Sequence, residues 1–118
     1  MLVQALQDKK GLDILVMDMR QINDSSDYFI LCSATSDVHV KTLTDGLVEK
    51  AKSEGLNPWH LEGNQTRRWV LVDFVDIVVH IMRQEAREFY ALERLWGDAE
   101  TTSYEDTWEL PSPLSTPN

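Results

Sequence analysis

Two aspartates three residues apart, Asp73 and Asp76, flank a tight turn between apolar runs, and Ser33-Ala34-Thr35-Ser36 opens a helical pattern. Paired acids can hold Mg²⁺ and a helix N-terminus can receive a phosphate, which together would make a nucleotidyl-transfer site. A plainer reading competes with it. Turns use aspartate for backbone hydrogen bonds alone, and the two acids lack the spacing of two, which would put them on one strand face. His39, His60 and His80 fall in no metal-ligand spacing, and the single cysteine, Cys32, can complete neither a zinc site nor an intrachain disulfide. Hence no metal or other cofactor is expected. Cys32 ends the run Tyr28-Phe29-Ile30-Leu31-Cys32 and reads as a buried strand thiol, with nothing near it in sequence to lower its pKa. His80 interrupts an apolar run and reads as a hydrogen-bonded strand histidine. Neither a G-x-S-x-G segment nor a glycine-rich phosphate loop occurs.

A second constellation is made of Arg67, Arg68, Trp69, Arg87, Tyr90, Arg94 and Trp96. Trp, Tyr and Arg are common interface anchors because they join large buried area to a polar handle. Taken singly, Trp69, Phe89 and Trp96 read as core. Taken together, the set points to a surface patch.

The elements that must position these residues follow from apolar spacing. Residues 2–7 form a short helical start, broken at Gly11. Leu12 to Met19 and Tyr28 to Ala34 are continuous apolar runs, which suit strands covered on both faces. Ser36 to Glu54 carries Val40, Leu43, Leu47 and Ala51 at helical spacing, with Thr35 or Ser36 as cap and Gly55 as stop. Gly46 inside this helix suggests close approach of another backbone. A short strand is expected within 58–62. Arg68 to Phe74 and Asp76 to Arg83 read as an antiparallel hairpin. Glu85 to Trp96 reads as one helix with Phe89, Leu92 and Trp96 on one face, ended by Gly97. The order predicts an α/β fold: a mixed sheet of about five strands flanked by helices. Residues 1–97 form the domain. Residues 98–118, with Pro111, Pro113 and Pro117 among Ser, Thr and acids, read as a flexible tail dispensable for folding.

The chain has 118 residues and 42% hydrophobic content, enough for one globular domain without staples. No apolar run approaches the length needed to span a bilayer. Met1 to Lys10 lacks the pattern of a secretory or organelle leader, so a reducing, cytoplasmic setting is expected. Net charge is −9. Asp98, Glu100, Glu105, Asp106 and Glu109 lie in a segment without Lys or Arg, so the body carries −9 + 5 = −4. Such a chain is poorly suited to bare nucleic acid, which needs clustered cations, and well suited to a partner with a basic surface.

Three segments resemble one family in order along the chain. Ser33 to Lys41 is similar to its G-T-S-D-R-H-V-K segment. Glu62-Gly63 followed by Trp69 to His80 is similar to its E-G and W-x-L-x-D-Y/F-G-D-x-x-V-H segments. Arg87 to Gly97 is similar to its R-x-F/Y-Y-x-L-E-x-L-W closing helix. The family is that of the ribosomal silencing, or Iojap-like, factors, and the likeness spans about residues 2–98. It implies a nucleotidyltransferase-like fold without a working catalytic set. It also implies binding to the large ribosomal subunit through ribosomal protein fourteen, steric blocking of subunit joining, and reduced translation under starvation. The resemblance assigns partner contact to Trp69, Val70, Asp73, Tyr90, Glu93 and Arg94, and leaves a homodimer of the free factor open. The sequence departs from the pattern at Ala34, Val38 and Val75, where the family has glycine, arginine and glycine. Because a β-branched residue resists positive φ, the turn at Val75 is expected to have a different geometry.

The core predicted from these patterns contains Ile14, Val16, Ile30, Leu43, Leu47, Val72, Val78 and Val79. Leu47→Ala is expected to cost about 2–5 kcal/mol, the range for a leucine emptied from a packed core. Equilibrium denaturation measures it, and a loss within error would show that the helix face is misassigned.

Overall fold

The computed structural model describes residues 1–22 and 25–106. Helix α1 (Leu2–Asp8) leads into strands β1 (Leu12–Asp18) and β2 (Tyr28–Ala34), then the long helix α2 (Asp37–Ser53). Strands β3 (His60–Glu62), β4 (Trp69–Asp73) and β5 (Ile77–Arg83) follow, then helices α3 (Gln84–Tyr90) and α4 (Leu92–Leu95) and strand β6 (Glu100–Tyr104). The six strands form one mixed sheet in the order β3-β4-β5-β2-β1-β6. Only β2 and β5 run parallel, with Tyr28 opposite Ile77 and Ala34 opposite Arg83. Their link passes through α2 and the β3–β4 pair, the long connection that a parallel pair requires.

The two apolar faces of the sheet are covered differently. On the first face α1 and α2 pack over Ile14, Ile30, Cys32, Val70, Val72, Val79 and Ile81. Helix α2 belongs there because its stripe Val40, Leu43, Leu47 and Ala51 is fully buried. Burying each leucine side chain contributes roughly 1.5–3 kcal/mol. The Ser36 hydroxyl caps the helix by accepting the His39 amide at 3.1 Å, and Gly55 closes it at φ +83. On the second face α3 and α4 cover Met17, Phe29, Leu31, Val78 and Met82 with Ala86 and Leu92.

The expected core is buried as read, apart from Val16, which is half-buried on β1 beside the edge strand. Four other expectations change. First, Gly46 faces no backbone: a Cβ there would meet the methylenes of Lys9 at 2.9–3.5 Å. Second, the closing helix is two helices. Ala91 adopts left-handed φ 49 and ψ 51, which turns Leu92 and Trp96 inward while Phe89 remains 80% exposed. Third, the segment read as tail supplies a sixth strand. β6 pairs antiparallel with β1, Tyr104 opposite Ile14 and Glu100 opposite Asp18, and the Asp106 carboxylate accepts the Asp13 amide at 2.8 Å. The β1 amides and carbonyls facing outward therefore find partners that a domain ending at 97 would deny them. Residues 107–118 of the expected tail lie outside the described residues.

The fourth change is at Val75. Its φ is +79, and the Asp76 amide donates to the Phe74 carbonyl at 3.1 Å, which closes a γ-turn around a valine. This turn at positive φ is rare and strained for an L-residue. The tight hairpin thus forms with valine at its positive-φ position. The Asp73 carboxylate accepts the Val75 amide at 2.7 Å and helps to hold the turn closed. Val75→Gly should raise stability by about 1 kcal/mol, the strain relieved less the entropy that glycine adds to the unfolded chain. Urea unfolding measures the change. A loss of stability would show that packing of the valine side chain outweighs the strain.

Candidate functional site: an open face of the sheet

Period-two alternation puts Trp69, Leu71 and Asp73 of β4 on the second face, away from α2. The register extends this surface to the sheet edge, since Asp73 is opposite His60 and Leu71 opposite Glu62. Toward the centre, Leu71 is opposite His80 and Trp69 opposite Met82. α3 packs against β5 and β2, so the β3–β4 side of this face stays open. Trp69, Leu71 and Asp73 are half-buried there, and His60 and Glu62 are exposed, with their side chains 2.6 Å apart. Tyr90, at the end of α3 and 48% exposed, packs its ring against Trp69 at 4.8 Å, and Phe89 meets Tyr90 edge-on at 5.1 Å. Gly63 fixes the approach to β4. It has φ +83, and a Cβ there would run into the Trp69 carbonyl.

Of the six contact residues that the resemblance assigns, the structure brings Trp69, Asp73 and Tyr90 to this face. Val70 points to the opposite face and is fully buried, so its side chain offers no contact. Alternation along β4 already separates it from Trp69 in the sequence. Glu93 and Arg94 instead line a cavity of about 480 Å³ bordered by Asp13, Ser33, Arg87 and Tyr104. There one Glu93 oxygen accepts from Arg87 Nε at 3.3 Å, and the other is buried without a hydrogen-bond partner among the described residues. Tyr90 and Arg94 no longer share one helix face, because the chain turns at Ala91 between them. Leu71 reaches the face by the same alternation as Trp69, whereas His60 and Glu62 are brought there only by the β3–β4 register.

The groups proposed for nucleotidyl transfer are not assembled. Asp73 and Asp76 lie beside the start of β5, whereas Ser33 to Ser36 lie at the far end of β2, where Ala34 is opposite Arg83. At about 3.3 Å per residue, the six residues between these points separate the two ends by roughly 20 Å. Two amides at this helix start have side-chain partners. Thr35 N–H donates to His39 Nδ1 at 3.0 Å, and His39 N–H donates to Ser36 Oγ. Asp73 serves the turn, and the Asp76 carbonyl accepts the amides of Asp27 and Tyr28 at 2.7 and 3.1 Å.

Burial sets the charge state of two groups. It pushes the Cys32 thiol up to about 12, as expected of an inert strand thiol. It lowers His80 from 6.5 to about 4, because the imidazolium would be desolvated. His80 is 4% exposed, and its Nδ1 accepts the Trp69 indole N–H at 3.0 Å. The unfolded chain takes a proton on His80 near pH 6.5 and the folded protein only near pH 4. Between those values the unfolded state holds more proton, so stability falls as pH drops. From pH 7 to pH 5 the loss from this one group should be on the order of 2 kcal/mol. Urea titrations at both pH values, on the wild type and on His80→Asn, measure it. Equal losses in the two proteins would refute the assignment to His80.

The sequence model of the family described as "Ribosomal silencing factor during starvation" matches residues 1–116. A Bacillus subtilis protein named ribosomal silencing factor RsfS is 41% identical over 95 residues, covering 80% of each chain. A mouse protein named for mitochondrial assembly of the ribosomal large subunit is 35% identical over 81% of this chain and 43% of its own length. Among solved structures, a crystal structure of a Chromobacterium violaceum protein superposes with a TM-score of 0.79 at 35% identity, covering 81% of this chain and 80% of that one. The order of the motifs, the mixed sheet and these likenesses agree: the chain belongs to the ribosomal silencing factor family.

Proposed function

We propose that this protein is a non-enzymatic, cytoplasmic translation repressor that docks on the large ribosomal subunit through the open β3–β4 face. Ribosomal protein fourteen is its contact, and the bound factor stands where the small subunit must join. The single observation that carries this reading is the Trp69–Tyr90 pair, two aromatic rings 4.8 Å apart and partly open to solvent, where α3 ends and the β3–β4 side of the sheet face is left open. Aromatic anchors of this kind dominate the energetics of protein interfaces. The chemistry of the surroundings agrees. Leu71 adds apolar strand surface, Asp73 and Glu62 add acid, and the chain's net charge of −9 favours encounter with a basic ribosomal protein. The mouse relative's name supports the large subunit as the partner. The roughly 20 Å between the acids of the hairpin and the serine segment speaks against catalysis.

Tyr90→Ala and Trp69→Ala should each weaken binding to isolated large subunits by roughly 2 kcal/mol or more. Co-sedimentation and thermal unfolding on the same variants separate loss of contact from loss of fold. Unchanged affinity with intact folding would overturn the docking face. The double variant Asp73→Asn, Asp76→Asn should still inhibit subunit joining, since occlusion needs no metal. Loss of inhibition with binding intact would instead favour a reaction at those acids.

A further inference from the structure

We infer that His80 is a positioning residue for docking: by accepting the Trp69 indole N–H it fixes how that ring is presented to the partner. The inference rests on the reading of Trp69 as the docking anchor. The geometry that carries it is local. Trp69 Nε1 is 3.0 Å from His80 Nδ1, and the two rings lie 5.8 Å apart, tilted by 45°. On its other side His80 meets Phe29 edge-on at 4.9 Å, and Phe29 meets Trp96 in the same manner at 5.1 Å. The histidine is thus gripped between β2 and β4 and cannot rotate away from the indole. Tyr90 packs against Trp69 from α3, so hydrogen bond and ring contact together leave the indole one orientation.

The protonation pattern follows from this contact. An indole N–H only donates, so Nδ1 must be bare and the proton sits on Nε2. Nε2 is buried with no hydrogen-bond partner among the described residues. A leucine or valine would fill this site without an orphaned donor, so packing alone gives no reason for a histidine there. What the histidine adds is one acceptor, aimed at the residue on which the docking face turns. It touches no partner itself; it acts through Trp69.

Asparagine and leucine have nearly the same shape, but only asparagine keeps an acceptor one bond from Cγ, where His80 Nδ1 stands. His80→Asn should bind isolated large subunits within about threefold of the wild type. His80→Leu should bind about tenfold more weakly per folded molecule, since the indole loses its partner and its fixed orientation. The Trp69 indole N–H resonance, identified by its absence in Trp69→Phe, should keep its downfield position in His80→Asn and move upfield in His80→Leu. A merely structural role would shift the melting temperature and leave the affinity of the folded fraction unchanged, even though the resonance moves. Equal binding by the two variants, with Trp69→Ala strongly impaired, would overturn this inference and leave the docking face standing. Normal binding by Trp69→Ala would instead sink the docking reading, and this inference with it. If His80→Leu does not fold, ¹⁵N spectra of imidazole-labelled wild-type protein decide the matter, because a protonated Nδ1 excludes the hydrogen bond.

Discussion

A guanidinium buried at the end of the sheet holds the closing helices where the rest of the surface needs them. Arg87 is 8% exposed, and its Nη1 donates to the Asp13 carbonyl at 2.5 Å and to Ser33 Oγ at 3.0 Å, while Nε donates to Glu93. One side chain thereby ties α3 to β1, to β2 and across the Ala91 break to α4. A charge taken out of water is tolerable only when its donors are matched, and removing one partner of such a group is strongly destabilising. The arrangement explains why α3 stops where it does. Were the helix to run on through Ala91, Glu93 and Leu92 would leave the positions in which one meets Arg87 and the other enters the core. Tyr90 is the last residue before that break, so its place against Trp69 is set from the interior outward.

The two faces of the sheet divide the work. The face under α1 and α2 is a closed core, with Leu43, Leu47, Val70, Val72, Val79 and Ile81 fully buried. The other face is closed only over β5, β2 and β1, where α3 and α4 sit, and opens over β4 and β3. Placing the recognition residues on the same strands that anchor the core gives them rigid support. Trp69, Leu71 and Asp73 alternate with Val70 and Val72, so the residues that face outward are fixed by neighbours that face inward.

The sequence made much of this legible. Continuous apolar runs identified β1 and β2, as suits strands covered on both faces, and two Val- and Ile-rich runs about a tight turn identified the β4–β5 hairpin. The α2 stripe and its Ser36 cap were equally plain. What escaped did so for physical reasons. β6 reads Glu-Thr-Thr-Ser-Tyr and is exposed throughout, so it has no hydrophobic signature; only its Thr and Tyr content hints at a strand. The break at Ala91 escaped because alanine favours helix and nothing local announces a left-handed residue. The buried Arg87 that accompanies it is visible only in three dimensions. At Val75 steric preference is overridden, because the Asp73 side chain and the paired strands impose the turn on a residue that resists it. Within the site, Trp69 and Tyr90 stood out as aromatic anchors as well as by motif likeness, Asp73 came from motif likeness, and Val70 was grouped with them although strand periodicity assigns it to the core.

The strands that bound the sheet bear on how the molecule meets copies of itself. A free strand edge offers a row of unpaired amides and carbonyls to any passing chain, and proteins blunt it with short strands and charge. Here one edge is β3, three residues long with His60 and Glu62 on it, and the other is β6, polar throughout and bearing Glu100. Without β6 that second edge would be β1, whose run Ile-Leu-Val-Met is a ready template for stacking into aggregates. The last described segment of the chain thus works as a selvedge: it finishes the weave with threads that others do not catch.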